Sequence, residues 1–140
     1  MCMMIYIASD RPLPLIEWHD ESPAFHVREL SADEQVVRAH FRKAFIYYAG
    51  SHEGCGCGFA YGRWPADGED YTREDAAARR SVRRLSEYLA SAARDGAIEL
   101  LACWQGEQEA PPDEYVIVSS SEIGGPSFSF KAGRFLLLPM

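Results

Sequence analysis

The chain has 140 residues, of which 47% are hydrophobic, 12% aromatic and 25% charged. These proportions are those of a globular protein and exclude a disordered chain or a collagen-like fibre. Acidic residues outnumber basic residues by 21 to 14, which gives a net charge of -7 at pH 7. A polyanion would be repelled at long range, so the charge argues against a nucleic-acid partner. The length predicts one domain over residues 1–140.

The sequence predicts a cytoplasmic protein without a membrane partner. The apolar run over residues 3–9 stops at Asp10 and has no basic region before it. A membrane span needs about 20 apolar residues, and a signal peptide begins with basic ones. Because thiols stay reduced in the cytoplasm, we expect the four cysteines to be buried, metal-bound or reactive rather than disulfide-bonded.

Four segments in the first part of the chain carry the apolar, branched or alternating residues that are typical of strands. They are residues 3–9, 13–18, 25–30 and 44–50. Ser31 and Glu34 form a capping-box pattern ahead of an apolar-periodic run. This pattern predicts a short helix over residues 32–42.

The most regular periodicity of the sequence predicts a long helix over residues 72–94. Apolar residues recur there at spacings of three and four, which places them on one face of a helix. They are Ala78, Val82, Leu85, Leu89 and Ala92. Thr72 suits the N-cap of this helix, and Gly96 suits its end.

Three more strands are predicted after the long helix, over residues 97–104, 115–121 and 127–138, with a break at Gly133 in the last. Strands therefore follow one another more often than they alternate with helices, which is typical of an α+β fold. We predict a mostly antiparallel sheet of about six strands with both helices packed on one face.

Residues 50–59 depart most from average composition, because they hold four glycines, two cysteines and a histidine. Side-chain alternation predicts that residues 44–50 and 55–62 form a hairpin around the tip 51–54. One face of the second strand would be nearly bare backbone, which a partner can approach closely. That face would carry Gly56, Gly58, Ala60 and Gly62, and the other Cys55, Cys57, Phe59 and Tyr61.

The sequence favours a non-enzymatic binding module that uses the glycine-rich hairpin 50–62. Its partner would be a small ligand or a protein, and self-association is one form of the latter. A stripe of arginines on the long helix extends the predicted surface, although such a stripe is also typical of a solvated helix face. The candidate binding residues are Ser51, His52, Glu53, Gly56, Gly58, Arg80, Arg83 and Arg84.

The alternative is a zinc site or a reactive thiol in the same segment. His52, Cys55 and Cys57 are residue types that zinc prefers, and they lie within six residues. Cys103 is the predicted fourth ligand, with Cys2, His19, His26 and His40 as other sources. A cysteine beside an imidazole also suits thiol chemistry. The sequence contains no catalytic motif, and it leaves open whether the protein is an enzyme.

Overall fold

The computed structural model describes residues 2–60 and 69–140, without the side chains of residues 69–72. The strands are β1 (Met3–Ser9), β2 (His26–Glu29), β3 (Phe45–Gly50), β4 (Ile98–Trp104), β5 (Glu114–Ile117) and β6 (Arg134–Leu138). The helices are α1 (Glu69–Ala93) and the single turn α2 (Ser120–Ile123), with 3-10 segments over Ala32–His40 and Gly56–Gly58. The predicted α+β class is confirmed.

The strands form one mixed sheet in the order β2-β3-β1-β4-β6-β5. Antiparallel pairing dominates, and Ile5 of β1 lies opposite Ala49 of β3 on one side and Ala102 of β4 on the other. The exception is β5, which pairs with β6 in parallel. Parallel neighbours need a crossover connection instead of a tight hairpin, and the chain that contains α2 provides it.

One face of the sheet forms the main core against α1. Ile5 belongs to this core together with Leu85 and Leu89 of the helix, and all three side chains are 0% exposed. The apolar stripe predicted from the periodicity is therefore the buried side of α1. The helix begins three residues earlier than predicted, so Thr72 lies inside it and not at its N-cap.

The opposite face is covered by the segment Ala32–His40, a 3-10 helix that lies within the short helix predicted over 32–42. Its Val37 is buried in a second apolar cluster with Tyr6 of β1 and Tyr48 of β3. The prediction that both helices pack on one face is therefore wrong. Because β1 is buried on both of its faces, each face of the sheet needs its own cover.

A buried carboxylate joins this 3-10 segment to the sheet. Glu34 is 3% exposed and accepts a hydrogen bond from the Tyr6 hydroxyl at 2.6 Å. The Arg28 guanidinium donates a second at 2.6 Å, and the Ser31 N–H donates a third at 2.9 Å. Burial alone would raise the pKa of this carboxyl, but the three hydrogen bonds outweigh it and the pKa is lowered. We call these four residues the Glu34 cluster.

Three predicted strands differ from the structure. Residues 13–18 contribute only an isolated bridge to β2. The strand predicted over 115–121 is limited to β5, and α2 follows it. The strand predicted over 127–138 is limited to β6, because Gly133 has a φ of +90°, which breaks an extended strand.

Candidate functional site

A buried serine shapes residues 51–60, the segment that follows β3, which we call the His52 loop. Ser51 is 0% exposed, and its hydroxyl donates to the carbonyl of Cys55 at 2.6 Å. The same oxygen accepts from the N–H groups of two other loop residues at 3.2 and 3.1 Å. Hydrogen bonds of this local kind compete with strand pairing. Ser51, a predicted binding residue, is therefore buried and makes its hydrogen bonds within the loop.

The second strand of the predicted hairpin does not form in the described part of residues 55–62. Residues 56–58 make a 3-10 turn, and residues 61 and 62 lie outside the described residues. The hairpin prediction is thus wrong for residues 55–60. Gly56 and Gly58 are buried, so they do not present the open glycine face that the alternation predicts.

The two glycines are required for close packing inside the chain. A Cβ on Gly58 would stand 2.3 Å from Ser51 Oγ and 2.8 Å from His52 Cε1. A Cβ on Gly56 would stand 2.5 Å from Ile5 Cγ1. Contacts this short exclude a side chain unless the neighbours move. The close approach expected of a partner is therefore made by the protein's own residues.

His52 lies between the loop and α1, and its side chain is 15% exposed. Its main-chain N–H donates to Ser81 Oγ at 3.2 Å, and its ring Nδ1 lies 2.8 Å from the same oxygen. The other ring nitrogen, Nε2, is buried and has no hydrogen-bond partner among the described residues. A buried polar atom without a partner is costly, so this nitrogen marks a position that a ligand would complete.

Two carboxylates lie near His52, and one of them is close to this nitrogen. Glu74 Oε2 lies 3.9 Å from His52 Nε2, and Glu53 follows His52 in the loop. One potential ligand atom from each of the three residues lies within 4.8 Å of the other two. We call these residues the His52 cluster, which borders a cleft of about 230 Å³. The described residues contain no other group of three possible metal ligands at such distances.

The predicted zinc ligands do not form such a group among the residues described. Cys103 is buried in the apolar cluster on the opposite face of the sheet from the main core. Cys55 is 8% exposed and lies beside the thiols of Cys57 and Cys2. Of the predicted set, only His52 belongs to the group that the structure brings together.

The cysteines of the structure are thiols, and two of them are poorly suited to nucleophilic chemistry. Burial is the main cause that raises the pKa of the Cys55 thiol to about 12 and that of Cys103 to about 11. A reactive cysteine needs the opposite shift, because the thiolate is the nucleophile. Cys57 is half-buried and accepts a hydrogen bond from the N–H of Met3 at 3.3 Å. Activation of Cys55 is therefore disfavoured.

The arginines of α1 differ in their surroundings. Arg80 and Arg84, one helical turn apart, line a cleft of about 190 Å³ between α1 and the chain before β2. Neither makes a hydrogen bond or ion pair with another described residue. Arg83 is exposed but does not line this cleft. The arginines predicted to form one surface therefore lie in different surroundings. Arg79 makes an ion pair of its own, with its Nε 2.6 Å from Asp75 Oδ2.

Glu74 and Ser81 were not predicted from the sequence. Ser81 follows Ala78 by three residues and precedes Leu85 by four, so a polar residue on the buried stripe of α1 was the available signal. Glu74 lies two helical turns before Ser81, on the same side of the helix. Their contacts with His52 join residues 22 and 29 apart in the chain, which no local pattern predicts.

Comparisons with protein-family models, with curated proteins and with solved structures find no match for this chain. No helix in the described part of the chain is both long enough and apolar enough to cross a bilayer. The geometry and chemistry of the two clefts beside His52 therefore carry the functional proposals.

Proposed function

We propose that the protein binds a divalent metal ion, with zinc as the candidate, through His52, Glu53 and Glu74. The observation that carries the proposal is the buried, unpartnered Nε2 of His52, which lies 3.9 Å from Glu74 Oε2 in a group that Glu53 completes. One imidazole nitrogen and two carboxylate oxygens are ligands that zinc accepts. A metal on Nε2 would give this nitrogen the partner that the described chain does not provide.

The distance between His52 and Glu74 is compatible with a tetrahedral ion after a small movement. Zinc bonds of about 2.0–2.2 Å place neighbouring ligand atoms about 3.4 Å apart. His52 Nε2 and Glu74 Oε2 are 3.9 Å apart. The Glu74 side chain is 53% exposed, so it can close this gap by rotation without disturbing the core.

Ser81 supports the proposal from behind the histidine. Metal-binding histidines usually donate their second ring N–H to an oxygen, which fixes the orientation of the ring. Ser81 Oγ lies 2.8 Å from His52 Nδ1 and is held in place by α1. Three protein ligands leave a fourth position of a tetrahedral ion for water or an incoming ligand.

This proposal changes the chemistry assigned to the His52 loop. A partner-binding surface made by Ser51, Gly56 and Gly58 loses support, because all three residues are buried. His52 and Glu53 keep a binding role, now towards a metal ion instead of a partner surface.

Zinc titration of the purified, reduced protein tests the proposal. Wild type should bind one zinc ion, and His52→Ala or Glu74→Gln should weaken binding by about 100-fold or more, because even residues behind metal ligands contribute about 10–100-fold. Glu87→Gln is the matched control, since Glu87 is exposed on the same helix and outside the cluster. Circular dichroism before each titration verifies the fold.

The cysteines provide the opposing test. A variant with both Cys55→Ser and Cys57→Ser should keep the affinity of the wild type for zinc. If this variant loses zinc while Glu74→Gln keeps it, sulfur is the ligand and the proposal is wrong. Failure of the wild type to bind zinc, or an equal loss in Glu87→Gln, would overturn it as well.

A further inference from the structure

The contact between His52 and Ser81 leaves one hydrogen without an acceptor in the described part of the chain, in either tautomer of the ring. Ser81 Oγ already accepts from the main-chain N–H of His52. If ring Nδ1–H also donates to this oxygen, the Ser81 hydroxyl hydrogen has no acceptor among the described residues. If the hydroxyl donates to Nδ1 instead, the hydrogen on Nε2 has none. Ser81 is 2% exposed, so either arrangement leaves a buried donor for a ligand.

Ser81 lines the cleft of about 190 Å³ together with Arg80 and Arg84. Ser22, from the chain before β2, is another hydroxyl-bearing residue of its lining. No acidic side chain is among the described residues that line this cleft, although the protein as a whole has a net charge of -7. The cleft is thus a local concentration of hydrogen-bond donors and positive charge on an acidic protein.

We propose that this cleft, which we call the arginine cleft, binds the phosphate group of a small phosphorylated ligand. Guanidinium groups bind phosphate oxygens through paired hydrogen bonds. Arg80 and Arg84 lie one turn apart and face the same ligand from one side. Ser81, which also lines the cleft, offers a third donor. Three donors at different positions match the three terminal oxygens of a phosphate monoester better than the two of a carboxylate.

The size of the cleft limits what it encloses. Its volume of about 190 Å³ is below the roughly 300–1,000 Å³ of pockets that surround a whole small ligand. The cleft therefore holds the phosphate group, and the remainder of the ligand lies outside it. Because the net charge repels anions at long range, the affinity depends on these local hydrogen bonds.

A link between the arginine cleft and the metal rests on the proposed function. A metal on His52 Nε2 leaves the ring hydrogen on Nδ1, which then donates to Ser81 Oγ. The Ser81 hydroxyl hydrogen is directed away from the ring and becomes available to the phosphate. Metal and phosphate favour the same arrangement of hydrogens, so each should tighten the binding of the other by the same factor.

Calorimetric titration of the metal-free protein with phenyl phosphate tests the cleft by itself. Arg80→Ala and Arg84→Ala should each weaken binding by about tenfold or more, because each removes charged hydrogen bonds. Arg83→Ala is the matched control, with the same charge change on the same helix, and should bind as wild type does. All three arginines are exposed, so thermal unfolding should show that each variant remains folded.

Absence of saturable binding, or an equal loss in Arg83→Ala, would overturn the arginine cleft. Benzoate that binds as tightly as phenyl phosphate would overturn the choice of phosphate. Repeating the titration with zinc should tighten binding in wild type but not in Ser81→Ala. If zinc does not bind while the arginine-dependent binding persists, the metal proposal and the link fail and the cleft stands.

Discussion

Glu34 and His52 are both largely buried titratable residues, but their hydrogen bonds differ. Glu34 accepts from a hydroxyl, a guanidinium and a main-chain N–H, whereas His52 Nε2 has no hydrogen-bond partner among the described residues. A buried polar group with all its partners stabilises a particular packing. One that lacks a partner lowers stability and is a candidate binding position. We therefore interpret the Glu34 cluster as structural and the His52 cluster as the candidate binding site.

The largest expected effect is the loss of stability on replacing Glu34. Glu34→Ala removes the acceptor of the Tyr6 hydroxyl and the carboxylate partner of Arg28, and it should lower the free energy of unfolding by about 2–3 kcal/mol. His52→Ala should cost about 1 kcal/mol or less, because it removes an unpartnered buried atom together with its contacts. Urea denaturation measures both. Glu29→Ala, an exposed change on β2, should stay within about 0.5 kcal/mol of wild type.

An equal loss of stability in His52→Ala and Glu34→Ala would remove the contrast between the two clusters. In that case His52 would be a structural residue whose partners are supplied by the fold. The metal titration would then be expected to fail as well, because the two interpretations of Nε2 exclude each other.

Substitutions of the two buried glycines should distinguish an effect on stability from an effect on zinc binding. Gly56→Ala and Gly58→Ala should each cost about 1–3 kcal/mol, because each new Cβ overpacks a filled space. Only Gly58→Ala presses on His52, so only this variant should also weaken zinc binding. Chemical denaturation and zinc titration of the same samples measure both properties, and equal zinc affinity in the two variants would contradict the assignment of His52.

The Glu34 cluster also predicts a pH dependence of stability. Its lowered pKa means that the stabilisation is complete above the unfolded-state value of about 4.3 and is lost as pH falls through the folded-state value. The difference in unfolding free energy between wild type and Glu34→Gln should therefore shrink below about pH 4.3. Urea denaturation at several pH values measures it. A difference that stays constant to pH 2 would show that the carboxylate charge contributes nothing.

His26 provides an internal check on that experiment. Burial lowers the pKa of His26, so the folded state resists its protonation and stability falls as pH drops below about 6.5. Arg28 also lowers this pKa and is paired with Glu34, so the loss should be larger in Glu34→Gln, where no carboxylate offsets the guanidinium charge.

The smallest expected effect is a difference in thiol labelling. Burial raises the pKa of Cys55 to about 12 and that of Cys103 to about 11, so almost no thiolate forms at pH 8. Iodoacetamide at that pH should therefore modify both residues much more slowly in the folded protein than in urea, as measured by mass spectrometry. Rapid modification of Cys55 in the folded state would revive the thiol alternative.

Local patterns of the sequence were sufficient to predict the long helix and the central strand. The spacing of apolar residues in 72–94 predicts both the existence of α1 and the side that it buries, because helical periodicity is a local property. The apolar run over 3–9 likewise predicts the central strand. The glycines of the His52 loop indicated close approach, which is correct, but their pattern contains no information on what approaches.

The tertiary structure was needed to identify the candidate site. It brought Glu74 and Ser81 of α1 to His52, excluded the cysteines from that group, and separated Arg80 and Arg84 from Arg83. It also placed the 32–40 segment on the second face of the sheet and paired β5 with β6 in parallel. Periodicity specifies which side of an element is apolar, whereas long-range packing selects the element that covers it. Contacts between distant segments therefore could not be predicted from the sequence alone.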